Sequence, residues 1–184
     1  MTKTSIRLLV LLGILTLAVA ALTRPGAADA TTHNVAMLAE IDDLRSETWR
    51  WQRLMMKPRT PTNYSERKTT STTYHAWIRS LWRSRAAAAE RRAKTPPRQK
   101  QWLCIHRHER NPQQGWRTRT GNGYYGGLQM DIEFQRMYGA DLLRRKGTAD
   151  RWSPIEQIWV AERAYRSGRG FYPWPNTARS CGLI

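Results

Sequence analysis

Two cysteines, Cys104 and Cys181, bracket the last eighty or so of the 184 residues, and a bond between them would close almost the whole C-terminal part of the chain into one loop. On chain-entropy grounds a loop of that size contributes about 4 kcal/mol, a large share of the roughly 5–15 kcal/mol stability of a small domain. Oxidation depends on compartment, because such a pair stays reduced in the cytoplasm and is expected to bond outside it. Two unpaired buried thiols are the alternative reading.

The N-terminus points outside. Lys3 and Arg7 supply a positive start, residues 8–22 are apolar or small with Thr16 the only polar member, and Ala28-Asp29-Ala30 offers a small-x-small cleavage site before Thr31. That pattern is a secretory signal. Its apolar run is shorter than the about 20 residues a membrane span needs, and an uncleaved N-terminal anchor is the alternative. The formal net charge of +17 remains strongly positive after loss of residues 1–30. Such a charge steers polyanions; outside the cell these are wall polymers and anionic lipid heads rather than nucleic acid.

Composition divides residues 31–100 from those that follow. Val35, Leu38, Ile41 and Leu44 recur at helical spacing, and Trp49, Trp51, Leu54 and Met55 extend the apolar content until Pro58 and Pro61 stop it. Residues 59–73 are polar and read as a linker, unable to support a core. A second helix is expected over residues 74–93, carrying Trp77, Ile78, Leu81 and Trp82 and ending at Pro96-Pro97. The two helices are expected to form a hairpin serving as a basic arm or stalk, too poor in apolar residues for an independent domain.

From Gln101 onward Trp, Tyr, Gly and Leu are denser, as a compact unit requires. Trp102, Ile105 and Glu109 fall at i, i+3 and i+7 of a short helix, so Glu109 is expected on the apolar stripe, where its ionised form is disfavoured and a general acid can be kept ready. Asp131 is expected to cap a helix stopped by Gly139, and a short helix should follow to Gly147. Ser153-Pro154-Ile155-Glu156 is a strong helix start, with an N-cap serine, a first-turn proline and a capping-box glutamate. That helix should run to about Ser167, with Ile155, Ile158, Trp159, Glu162 and Tyr165 on one face.

Cleaving a glycosidic bond takes a proton for the leaving oxygen, commonly from one of two carboxyl groups. Asp131 and Glu156 are better explained as caps, and Glu133, Asp141 and Asp150 are expected in solvent. Glu109 and Glu162 remain, with a carboxylate paired to an arginine as the plain alternative. His106 and His108 are two apart, poor geometry for a shared metal, and no metal or other cofactor is expected.

Trp102, Glu109, Trp116, the run Thr120-Gly-Asn-Gly-Tyr-Tyr-Gly-Gly-Leu-Gln-Met130, the segment Glu156-Gln-Ile-Trp-Val-Ala-Glu162 and the closing Trp174-Pro175 with Cys181-Gly182 resemble the resuscitation-promoting factor and transglycosylase-like domain of actinobacteria. The resemblance implies an α+β, mostly helical, lysozyme-like domain over residues 101–184, preceded by the arm of residues 31–100 and the signal of residues 1–30. It implies an exported enzyme that cleaves the glycan backbone of peptidoglycan, Glu109 being the catalytic acid. Trp116, Thr120, Tyr124, Tyr125, Gln129 and Glu162 are implied to contact the substrate, and Cys104 and Cys181 to form a disulfide. Expected partners are peptidoglycan strands and anionic wall polymers. Glu109-Arg110-Asn111 stands where the family has Glu-Ser-Gly, and Arg163 where it has asparagine. An Arg110–Glu109 ion pair would favour the alternative of a non-catalytic wall-binding module. N-terminal sequencing of exported protein should give Thr31 as the first residue; a chain still beginning at Met1 or Thr2 would mean an anchor.

Overall fold

A computed structural model describes residues 27–184, so the apolar run of the expected signal lies outside the described residues, and Ala28-Asp29-Ala30 falls in the first turn of the first helix. Among the described residues no helix is long and apolar enough to cross a membrane. The expected α+β, mostly helical architecture is present. Helices α1 (Ala27–Leu54), α2 (Thr72–Lys94) and α3 (Gln99–Glu109) are followed by a two-stranded antiparallel hairpin, β1 (Tyr124–Tyr125) with β2 (Met130–Asp131). Helices α4 (Ile132–Lys146), α5 (Pro154–Ala164) and α6 (Pro175–Ser180) complete the chain.

Helices α1 and α2 do not form the expected hairpin. Glu40 pairs with Arg79 and Arg83, Ile41 packs on Ile78 and Trp82, and Trp51 packs with Ala89 and Ala93. The partner number rises in both helices, so they run parallel. The intervening segment must return along the pair to begin α2. It does so as a strap: Trp49 Nε1 donates to Thr60 O at 3.0 Å, Glu66 accepts from Arg45 and, at 3.4 Å, from Trp82 Nε1, and Asn34 Nδ2 donates to Thr70 O at 3.2 Å. The polar linker of residues 59–73 thus contributes a buried carboxylate, Glu66, to the arm's interior. Hydrophobic spacing alone misplaces the α1 stripe for the same reason. Met37, Ile41, Arg45, Thr48 and Trp51 face inward, while Val35 is exposed, because two of the buried positions are polar and bond to the strap or to the helix itself.

Parallel running brings both C-termini to the same place, the exposed-carbonyl end of each helix. Both are met by α5. Trp159 Nε1 donates to Ala93 O at 2.7 Å, and Arg163 Nη2 donates to Leu54 O at 3.1 Å, one turn further along α5. Arg163 Nη1 holds Tyr138 O at 2.7 Å, so one guanidinium joins the arm to α4 and α5. Trp51, Leu54, Met55, Ala89, Ala93 and Trp159 bury one another around these bonds.

The remaining helices start where sequence chemistry places them. Ser71 accepts from Tyr74 N at the head of α2, Asp131 Oδ1 from Phe134 N at the head of α4, and Ser153 and Glu156 form the capping box of α5. Gly139 interrupts α4 where the sequence placed a helix stop, and a second helical stretch follows to Gly147. Gly139 takes a non-helical conformation within one kinked helix, where a Cβ would stand 2.6 Å from the Trp152 ring. Helix α5 gives way after Ala164 to a π-helical turn (Tyr165–Arg169), with Gly168 at φ +97°.

Trp102 lies at the centre of the second core, without solvent exposure and edge-on to Tyr165 and Trp174 with Phe171 tilted against it. Its indole nitrogen donates to Glu162 Oε1 at 2.7 Å, and Arg98 donates to both Glu162 oxygens, Nε at 2.9 Å and Nη2 at 2.6 Å. Arg166 adds a fourth approach at 3.5 Å. Glu162 is fully buried, so the expectation that it touches substrate is corrected: it is a structural carboxylate joining α5 to α3. Removing one partner of a buried ion pair costs several kcal/mol because the other charge is left uncompensated. Glu162→Gln should therefore lower unfolding stability by about 3 kcal/mol, seen as an earlier urea midpoint with an unchanged slope.

Candidate active site

Glu109 is the last residue of α3, and the helix stops there because Arg110 turns to an extended conformation, its N–H bonded to His106 O. The carboxylate is half-buried and does not lie within a shell of Trp and Ile, as its helical position suggested. Trp102 and Ile105 point into the core, whereas position 109, at the helix end, faces a depression of about 280 Å³. Asn122, Tyr124 and Gln129 of the glycine-rich hairpin line it on one side, and Pro173 to Asn176 on the other. Among the described residues Glu109 is the only carboxylate in that lining. Arg110 makes no ion pair with it and instead donates to Pro112 O at 3.2 Å.

One carboxylate oxygen is held. Thr177 Oγ1 donates to Glu109 Oε1, which leaves Oε2 uncommitted. Thr177 sits on α6, and one turn later Cys181 is bonded to Cys104 of α3, with Cα atoms 6.1 Å apart. The bridge expected from sequence is therefore present and fixes α6 against the last turn and a half of α3, which is what brings Thr177 to Glu109. His108 lies within reach of both sulfurs, but the sulfurs are bonded to each other and no thiolate remains to hold a metal.

The hairpin facing Glu109 is shaped by close backbone approach. A Cβ at Gly126 would stand 2.5 Å from Gln157 Oε1, and one at Gly127 2.4 Å from His106 Nδ1. Gln157, wholly buried on α5, accepts from Gly127 N at 2.8 Å and donates to Trp116 O at 2.8 Å and Ala149 O at 2.9 Å. Trp174 Nε1 donates to Leu128 O at 2.6 Å. Asn122 Oδ1 accepts from Tyr124 N at 3.1 Å, an Asx turn that presents Tyr124 to solvent and to the depression. Gln129, at φ +49°, folds its amide onto Gly126 O at 2.8 Å.

Of the residues expected to contact substrate, Tyr124 and Gln129 line the depression with Glu109. Trp116 instead stacks on His106, ring centres 3.7 Å apart and ring planes nearly parallel, and Tyr125 packs against the core. Thr120 is exposed in the turn and lies outside the lining of this depression.

Residues 96–177 match the transglycosylase-like domain family. The chain carries a transglycosylase-like domain. It is similar to resuscitation-promoting factor Rpf1 of Corynebacterium glutamicum, 38% identical over 68 residues that make up 37% of this chain and 34% of that protein. It is also similar to resuscitation-promoting factor RpfE of Mycobacterium tuberculosis, 42% identical over 64 residues, 35% of this chain and 34% of that protein. The matches thus span about a third of the length of these relatives. No solved structure matches the chain significantly.

Within the transglycosylase-like domain, sequence reasoning missed Thr177 and Gln157. Thr177 carries no signal beyond its position four residues before a cysteine, and Gln157 lies in the Glu156–Glu162 segment that resembles the family without a role of its own. His106 was passed over as a poor metal ligand, yet it anchors the hairpin, Nδ1 lying 3.0 Å from Gly127 O. Burial lowers its pKa from the ordinary 6.5, helped by the nearby Arg110 charge and opposed by the Gly127 bond. A histidine kept neutral in the fold stabilises it fully above its unfolded pKa and loses that contribution as pH falls below about 6.5 toward the lowered folded value. Urea midpoints should decline from pH 7.5 to pH 5, and His106→Gln, which retains a donor for Gly127 O, should flatten the decline. An unchanged pH profile in that variant would remove His106 from the account.

Proposed function

We propose that this chain is an exported enzyme that cleaves the glycan backbone of peptidoglycan, with Glu109 as its single catalytic carboxyl group. The observation that carries the reading is the position of Glu109: in the lining of the depression opposite the hairpin, with one carboxylate oxygen held by Thr177. A carboxyl group so held can deliver a proton to a glycosidic oxygen laid between Tyr124 and the 173–176 segment, as the leaving group requires. Thr177 orients the acid, and Tyr124 supplies an apolar face for a sugar ring.

Two-carboxylate glycosidases place their second group across the scissile bond. The lining of this depression offers none among the described residues. The positive centre left by bond cleavage is therefore captured by the substrate itself: the C6 hydroxyl of the same sugar attacks it, Glu109 now takes the hydroxyl proton, and a 1,6-anhydro end results. Attack by water would give a reducing end instead, heavier by one water molecule. Residues 1–30 direct export, and the basic arm adds electrostatic retention on anionic wall polymers.

Glu109→Gln keeps the side chain's shape and its bond from Thr177 but cannot give up a proton. Turnover of purified peptidoglycan should fall by about 10²–10⁴, with binding and circular dichroism retained. Mass spectrometry of the released fragments distinguishes anhydro from reducing ends. Undiminished cleavage by the folded variant refutes the assignment, and a wild type that binds peptidoglycan but releases nothing makes the domain a wall-binding module.

A further inference from the structure

The depression at Glu109 does not end at Tyr124. Tyr124, Gln129, Pro173 and Trp174 also form one wall of a second hollow, about 210 Å³, that continues away from the carboxylate toward α4 and the π-helical turn. The two hollows are one groove, and their chemistry differs. The part beside Glu109 is lined by neutral residues apart from the carboxylate itself; the distal part carries Asp131, Glu133 and Arg169. The two acids are engaged. Asp131 Oδ1 caps α4 and Glu133 is paired with Arg136. Arg169 has no acidic partner and no side-chain hydrogen bond among the described residues. It is the last residue of the π-helical turn, flanked by Gly168 and Gly170 with φ of +97° and +56°. Met137, exposed at 67%, and Tyr124, exposed at 46%, give the groove an apolar wall open to solvent.

We propose that the distal half of the groove is a subsite for a carboxylate-bearing peptide branch of the substrate, with Arg169 binding the carboxylate and Met137 and Tyr124 contacting the peptide's apolar parts. The proposal rests on the reading of the chain as acting on peptidoglycan. With its lactyl carboxyl group tied up in the amide link to the peptide, the amino-sugar backbone carries no charge and gives a free guanidinium nothing to bind, whereas the peptide attached to every second sugar brings carboxylates to the side of the strand. An unpaired arginine with five donors in a fixed fork suits a carboxylate. The glycan then runs across Glu109 while its branch lies toward α4.

The test uses the full chain, as wild type, Arg169→Ala and Arg169→Lys, on two preparations of the same strands: one bearing peptide stems and one stripped of them by an amidase, with the lactyl carboxylates that this frees capped as methylamides. Fragment release gives kcat and KM, and co-sedimentation gives binding. Arg169→Ala should lose about tenfold in kcat/KM on stem-bearing strands, as expected for one charge-assisted hydrogen bond, with the loss falling on KM. On bare strands it should match the wild type, and Arg169→Lys should recover part of the loss. An equal loss on both preparations, or none on stem-bearing strands, overturns the subsite. Should the wild type cleave neither, the catalytic reading falls by itself, and binding decides the subsite: retention that depends on both stems and Arg169 upholds it, and equal retention of the two preparations overturns it. A peptide-free polyanion that competes as well as soluble stem peptide would also overturn it.

Discussion

Glu162 is a charge with no access to water, and a charge can be placed there only if its partners come to it. Arg98 comes from the segment before α3 and Trp102 from its first turn, so α3 has one position relative to α5 that satisfies the carboxylate. Trp102 carries the constraint onward through its contacts with Phe171 and Trp174, and Trp174 fixes Leu128 of the hairpin. The two walls of the cleft and the helix bearing Glu109 therefore refer to one buried carboxylate.

Position 109 itself is set by a second, independent tie. The disulfide and the Thr177 bond lie four residues apart on α6 and five apart on α3, in antiparallel sense. A covalent link and a hydrogen bond thus bracket the last turn of α3, where an unsupported helix end would fray. The loop-closure contribution of the disulfide acts on the unfolded chain, but its local contribution is geometric.

The legible parts of the fold were those governed by local rules. Ser71, Asp131 and the Ser153–Glu156 box cap helices because the rule involves only the next three residues. The glycine-rich run announced a tight hairpin, and the cysteines announced their bridge. What escaped the sequence were relations between distant elements. Parallel and antiparallel α1–α2 pairs have the same hydrophobic pattern, and only the strap bonded through Glu66 and Thr60 reveals which forms. Glu109 and Glu162 both fell on apolar stripes and looked alike. One lies at a helix end facing open space and the other in the last turn of α5 facing two arginines, a difference that belongs to packing and not to periodicity.

The parallel arm also fixes a length. Because α1 ends against Arg163, its first residues lie at the opposite end, and 28 helical residues at about 1.5 Å each extend roughly 40 Å. The strap and α2 lie alongside and stiffen that span, so it does not behave as a tether that could fold back. Anything holding the chain by its amino end is thereby kept a fixed stand-off from α5, and the groove beside Glu109 samples a shell at that reach instead of a volume.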